Sequence, residues 1–319
     1  MFILRFIIMT LNKKDPLKYV DSRRDELIKL TVDLIKIPTL NPPGINYFEI
    51  CDFIKKRMQK SGFECELIRA YDTPGDSKKY PRWNLVTRKE GKEKGKSIHF
   101  NGHIDVVETG KNWTVNPFEG IKINDKIFGR GACDMKGGIA SAIIAIESYL
   151  EYNPDYNGII EMSFTADEET GGYGGVAYLA EKGFFSPDRI ENVIIPEPLN
   201  KNRVCLGHRG VWWAKIETFG RIAHGSMPFL GNSAIEHMGA VLREFEDNLY
   251  PTLDKKRTKM PVVPDGAKKS TININSIHGG EKVHEEDFSG YPAAVVSDEC
   301  NIIIDRRFLI EEKINEVRK

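Results

Sequence analysis

The chain has 319 residues with 46 Lys plus Arg against 46 Asp plus Glu, a formal net charge of +0. That length favours two domains over one, and the charge balance leaves no long-range field to collect nucleic acid or an anionic membrane. The five cysteines, Cys51, Cys65, Cys133, Cys205 and Cys300, are scattered, contain no C-x-x-C pair and read as free thiols of a reducing compartment, here expected to be the cytoplasm.

The opening run MFILRFIIM is apolar but too short to span a bilayer, and no small-residue cleavage site follows it. Met9 begins the polar stretch MTLNKKDPLKY and is the expected start of translation. Between Asp15 and Ile37, the positions Leu27, Leu30, Leu34 and Ile37 recur at helical spacing and predict an amphipathic helix ended by Pro38. The segment IPTLNPPG, Ile37 to Gly44, then reads as a rigid loop. A second helix is predicted from Tyr47 to Lys60, followed by strands near Cys65 to Ile68, Asn84 to Thr87 and Ser97 to Phe100.

Ile139, Ala142, Ile143, Ile146 and Leu150 predict a further helix, Gly158 to Ala166 a strand, and Asn192 to Ile195 a short apolar strand. This alternation is that of an α/β sheet with helices on its faces. After Gly207 the pattern changes to a strand (Val211 to Phe219), a helix (Ala234 to Leu249), two strands (Thr271 to Ile277, Cys300 to Ile304) and the start of a helix at Glu311. A small α+β domain over 208–319 is the natural reading, with Asp254 to Ser270 a polar loop expected to be mobile.

Four motifs carry residues suited to chemistry. In FNGHIDVV a predicted strand presents His103 and Asp105 from one face. A histidine binds a metal through one ring nitrogen while a carboxylate orients the other, although H-x-D alone is equally a surface histidine beside an incidental aspartate. In GRGACDMKGGIA, Asp134 stands at the mouth of a helix, where an acid is often only an N-cap but where its two oxygens are also able to bridge two cations. In SFTADEETGGYGG a strand runs into Asp167, Glu168 and Glu169, a self-repelling cluster that cations would relieve. Its glycines fit neither G-x-G-x-x-G nor a phosphate-binding P-loop. In VIIPEPLN, prolines on either side of Glu197 fix where that carboxylate points, unless it is simply a solvated loop residue.

It is the joint order His103, Asp134, Glu168 with Glu169, and Glu197, each at the end of a predicted strand or the start of a helix, that is specific. In these motifs the chain resembles the co-catalytic zinc metallopeptidase and amidohydrolase family of acetylornithine deacetylase, succinyl-diaminopimelate desuccinylase, aminoacylase and carboxypeptidase G. The resemblance implies an α/β catalytic domain with a mixed sheet flanked by helices, here over 9–207, and an inserted α+β lid or dimerisation domain over 208–319. It implies His103 and Glu197 as ligands of one zinc, Asp134 as the bridge, Glu169 as a ligand of the second zinc and Glu168 as the general base. It further implies that Asp105 orients His103 and that the Asp134 to Met135 peptide is cis. Co2+ or Mn2+ suits the same ligand types as Zn2+.

RIAHGSMPFLGN resembles the family's lid motif, which implies that His224 stabilises the developing oxyanion. Asn273 and Arg307 resemble lid residues that hold a substrate carboxylate, with Arg306 an alternative to its neighbour. His99, His208, His237, His278 and His284 match no ligand position, and Cys133 lacks a paired base. Full-length relatives return to the catalytic domain and add a last histidine to the second metal, whereas this sequence ends at KINEVRK. The final part of the catalytic domain is therefore expected to be missing, leaving the second metal Asp134 and Glu169 from this polypeptide. The expected reaction is hydrolysis of the amide of an N-acylated amino acid. The alternatives are a dipeptidase or carboxypeptidase, or an incomplete fragment that binds metal or dimerises without turnover. The implied assembly is a homodimer through the lid, and the implied partner is a small N-acyl amino acid or short peptide.

Overall fold

Residues 16–199, 202–280 and 293–318 are described by the structure, a computed structural model. The expected start at Met9 and the residue His284 lie outside the described residues. The chain divides into two compact units, Met1–Arg203 and Val204–Lys319.

In the first unit the predicted opening helix is two helices, α1 (Pro16–Asp21) and α2 (Arg24–Ile35), separated by a turn at Ser22 and Arg23. Helix α3 (Tyr47–Lys60) has the bounds expected from sequence and buries Tyr47, Ile50, Cys51, Ile54 and Met58, one stripe at helical spacing. Strands β1 (Glu64–Ala70), β2 (Arg82–Glu90) and β3 (Ser97–His103) follow, then a small hairpin of β4 (Ile121–Ile123) and β5 (Lys126–Phe128). Helix α4 (Lys136–Tyr152), strand β6 (Ile159–Thr165), the short helix α5 (Tyr178–Glu181) and strand β7 (Asn192–Ile194) complete the unit. The sheet runs in the order β1-β2-β6-β3-β7. Its β6, β3 and β7 are parallel, whereas β1 and β2 are antiparallel to their neighbours.

Alternation along β3 and β6 separates two faces. Ile98, Phe100, Ile160, Met162 and Phe164 meet Leu34, Ile54, Ile139 and Ile143 of the helices in the main core. Gly102 makes this packing flush, since a Cβ there would sit 2.8 Å from Cγ1 of Ile139. The start of α4 is thereby drawn over the end of β3.

The opposite face is buried but polar. His99 bonds Glu161 at 2.9 Å and Ser163 at 2.7 Å, and Arg189 and Arg88 neutralise Glu161. The Ser–His–Glu order mimics a nucleophile with its base and acid. All three residues are 0 % exposed, so no substrate reaches them, and the cluster instead pins β3 to β6.

The second unit is a three-stranded antiparallel sheet in the order β8-β10-β9, built from β8 (Gly210–Phe219), β9 (Thr271–Gly279) and β10 (Glu299–Phe308). Helix α6 (Ala234–Glu244), capped by the Ser233 side chain, continues through a π turn into α7 (Tyr250–Asp254) and packs Ala234, Met238 and Phe245 on Ile302 and Ile304. The expected loop from Asp254 to Ser270 contains a short helical turn, Asp265–Lys268, and the last helix, α8, covers Ile314–Val317. Among the described residues no helix is long and apolar enough to cross a membrane.

Glu312 ties the end of β10 to this unit. Burial pushes its carboxyl up, but bonds from Lys256, Ser270 and the Leu309 amide, with the Arg306 charge, outweigh burial and hold it at about 2. A carboxylate lowered from 4.5 to about 2 stabilises the folded state above pH 4.5, and that contribution disappears as pH falls toward 2. Urea unfolding of Glu312→Gln is expected to show lower stability than wild type at pH 6 and a gap that narrows between pH 4.5 and pH 2. A constant gap would remove this role.

Candidate metal centre

Three parallel strands end on the same side of the sheet, and each delivers a ligand-type residue just past its carboxyl end, the position where open α/β sheets bind ligands. His103 is the last residue of β3, Glu168 and Glu169 occupy the turn after β6, and Glu197 follows β7. Asp134 enters from the loop that leads into α4.

These side chains meet at one ring nitrogen. Nε2 of His103 lies 2.9 Å from Oδ1 of Asp134, 3.6 Å from Oε1 of Glu197 and 4.0 Å from Oε2 of Glu168. Ligand atoms of His103, Asp134 and Glu169 all lie within 4.8 Å of one another. His103 is buried, whereas Asp134 and Glu168 are half exposed, so the cluster has a rigid floor and an open mouth.

The capping alternative for Asp134 does not hold. The N-cap of α4 is Met135, no side chain caps the helix, and the Lys136 amide bonds the Gly131 carbonyl instead. The Asp134 to Met135 peptide is cis, as the family resemblance implies.

Asp105 differs from the expectation in one respect. Strand β3 ends at His103, so Asp105 stands beyond it in the following turn. The nearest partner of His103 Nδ1 is the Asp105 carbonyl at 3.1 Å, with the carboxylate at 3.4 Å. The Asp105 carboxylate accepts from the Glu168 amide at 3.1 Å, the Glu169 amide at 3.1 Å and the Asn41 side chain at 2.8 Å. One residue thus orients the imidazole and holds the acidic turn.

Electrostatics follow from this crowding. Burial opposes a charge on His103, but hydrogen bonds to Asp105 and Asp134 and the nearby Glu197 raise its pKa to about 11. Burial and repulsion from Asp134 push Glu169 up to about 7, and burial leads the rise of Glu197 to about 6. The hydrogen bond from His103 lowers Asp134. The imidazolium proton therefore supplies the positive charge the carboxylates demand, the place a divalent cation would take. One nitrogen and several carboxylates form a donor set that fits such a cation.

His224, Asn273 and Arg307 lie in the second unit. His224 is exposed, with Nδ1 2.8 Å from the Ser226 hydroxyl. Alternation along β10 places the two adjacent arginines on opposite faces. Arg306 is buried and bonded to Glu312, while Arg307 lies on the open face with Asp305, which is paired across the ladder with Asn273. Asn41, Tyr47, Arg82 and Asp167 build the support beneath the acidic turn; sequence reasoning gave the first three no roles and placed Asp167 in the cation-relieved acid cluster, whereas it is buried and neutralised by Arg82. The signals for them were the NPPG loop and the D preceding the paired glutamates.

A mixed sheet whose parallel strands bring one histidine and several carboxylates to a point defines the class of α/β metallohydrolase domains. The chain belongs to peptidase family M20/M25/M40, whose model matches residues 99–302. It is 30% identical over 280 residues to a probable succinyl-diaminopimelate desuccinylase of Staphylococcus aureus, covering 87% of this chain and 62% of that protein. It is 32% identical over 260 residues to succinyl-diaminopimelate desuccinylase of Cupriavidus taiwanensis, covering 79% of this chain and 63% of that protein. The chain thus spans about three-fifths of the length of these relatives. Its fold is similar to the di-peptidase Dug1p of Saccharomyces cerevisiae, with a TM-score of 0.74 at 15% identity, 96% of this chain and 74% of that chain being covered. Human carnosine dipeptidase 1 has a TM-score of 0.67 at 14% identity, again over 96% of this chain and 74% of the other.

Because the crowding raises the pKa of His103, Glu169 and Glu197, metal uptake is expected to displace protons. Calorimetric titration with Zn2+ in buffers of different ionisation enthalpy is expected to show proton release, with affinity rising from pH 5.5 to pH 8. Affinity independent of pH would contradict this electrostatic account.

Proposed function

We propose that this chain carries the metal and general-base centre of a hydrolase that cleaves the amide bond of N-acylated amino acids, with a desuccinylase as the leading activity. The carrying observation is the convergence of Asp134, Glu168 and Glu197 on one nitrogen of His103, with Glu169 in the same cluster. Identity of about 30% to succinyl-diaminopimelate desuccinylases supports the substrate class. The resemblance to zinc enzymes favours Zn2+, two ions in a complete site, with Co2+ or Mn2+ as substitutes. His103 and Glu197 would hold one ion, Glu169 the other, and Asp134 would bridge them.

A cation held by these residues would supply Lewis-acid polarisation of the amide carbonyl and would make water more acidic. Glu168 then removes the proton of the attacking water. The water oxygen bonds to the carbonyl carbon, the C–N bond breaks, and Glu168 returns the proton to the departing amine nitrogen. Asp105 assists by fixing the Glu168 amide, hence the start of that side chain. The second unit is proposed as a lid and dimerisation domain, with His224 as oxyanion donor and Asn273 and Arg307 as carboxylate contacts. These roles rest on the motif resemblance. The balanced charge and the free cysteines support a cytoplasmic protein without a nucleic-acid or membrane partner.

Metal content per chain and hydrolysis of N-succinyl amino acids, N-acetyl amino acids and dipeptides, measured on one preparation, test the reading. Turnover of the acyl amino acids is expected, and a preference for dipeptides would move the assignment to a peptidase. Protein that neither retains Zn2+ when supplied with it nor hydrolyses any of the three classes would reject it. Glu168→Ala is expected to lower kcat about 10²- to 10⁴-fold, the contribution usual for a positioned base, with metal content unchanged. Unchanged kcat would end the general-base assignment.

A further inference from the structure

Asp167, the acid just before the paired glutamates, is buried, unlike Glu168. Both of its carboxylate oxygens are occupied. Nε of Arg82 donates to Oδ2 at 2.9 Å, and the Tyr47 hydroxyl donates to Oδ1 at 2.9 Å. Arg82 is also buried and makes further bonds from Nη1 to the carbonyls of Pro43 at 2.7 Å and Tyr80 at 2.9 Å. A charge pair so withdrawn from water persists only where surrounding bonds compensate its desolvation.

The chain around this pair is shaped to admit it. Gly44 and Gly75 come from two separate loops and Gly174 from the π-helical turn Tyr173–Ala177, and a Cβ on any of them would collide with Arg82. Asp167 itself adopts φ 62°, the left-handed region that non-glycine residues seldom occupy. Its carbonyl accepts from Gly172, and its neighbour Ala166 donates its amide to the Asn84 side chain at 2.9 Å. The left-handed residue reverses the chain between the end of β6 and Glu168, and so sets the direction in which both glutamates leave the strand.

We propose that Arg82 is a positioning residue for the acidic turn: by clamping Asp167 in its left-handed conformation, it aims Glu168 and Glu169 at the cluster around His103. The inference rests on the reading of that cluster as a metal hydrolase centre. Arg82 is buried, bonds Asp167 and the carbonyls of Pro43 and Tyr80, and acts through Asp167. Asp105 and Arg82 are then complementary, since Asp105 fixes the amides of Glu168 and Glu169 from one side. Arg82 fixes the preceding residue from the other.

The test uses the whole chain stripped of metal and titrated with Co2+, whose visible absorption reports coordination geometry. Arg82→Lys keeps the charge but loses the planar fork. Asp167→Asn keeps the shape and the Tyr47 contact and carries the measurement if the arginine variant does not fold. The control for lost stability is Arg57→Met, which breaks a different ion cluster with Glu26 and Glu147 between the helices.

Arg82→Lys and Asp167→Asn are expected to weaken Co2+ binding about 10- to 100-fold, the range for residues that orient ligands, and to shift the Co2+ spectrum. Arg57→Met is expected to lower the melting temperature with affinity and spectrum unchanged. Folded Arg82→Lys and Asp167→Asn chains with wild-type Co2+ affinity and spectrum would overturn the inference while leaving the hydrolase reading intact. A wild-type chain that takes up no Co2+ would overturn both.

Discussion

Mutual repulsion among carboxylates gathered round a single buried imidazole is the constraint on which the first unit depends. Asp134, Glu168 and Glu197 all approach Nε2 of His103, and Glu169 is close enough to join them. Like charges at this separation raise one another's pKa and would drive flexible loops apart. They stay together because each is delivered by an element whose direction is set elsewhere. The strand ends fix His103, Glu169 and Glu197, and the packing of α4 on Gly102 brings Asp134 over them.

The cost of this concentration of charge is met by an unusually polar underlayer. Asp105, Asp167, Asn41, Asn84, Tyr47 and Arg82 form bonds below the acidic turn, and all six are buried. Buried polar groups of this kind stabilise a structure only when their partners are in place. The Oδ1 atom of Asn41 is an exception, a buried acceptor without a partner among the described residues. Farther along the same face, His99, Glu161 and Ser163 continue the polar layer away from the site. The main aliphatic core lies on the other side of the sheet. One face therefore provides cohesion and the other provides orientation.

The second unit follows simpler rules. Strict alternation in β10 buries Ile302, Ile304 and Arg306 against the helix side and leaves Asp305 and Arg307 on the open face. Arg306 is tolerated inside because Glu312 pairs with it at 2.8 Å. The residues that resemble substrate contacts, Asn273 and Arg307, share the open face for the same geometric reason.

By itself the sequence determined the class of fold and picked out residues that the structure brings together. Periodicity was enough for α3, whose apolar stripe is local, and the motif order singled out His103, Asp134, Glu168, Glu169 and Glu197, which the structure gathers at one point. The same local reading missed the break at Ser22 and Arg23, and it carried the strand past His103 to Asp105, because pairing between strands, not composition, decides where a strand ends. Which of Arg306 and Arg307 is buried required the phase of a strand against its core. The support beneath the acidic turn was beyond reach for the same reason. Arg82 and Asp167 are 85 residues apart, and their bond exists only once β2 and β6 have paired. Motifs specify which groups are present, but the tertiary structure decides where they point, since direction is fixed by neighbours distant in the chain.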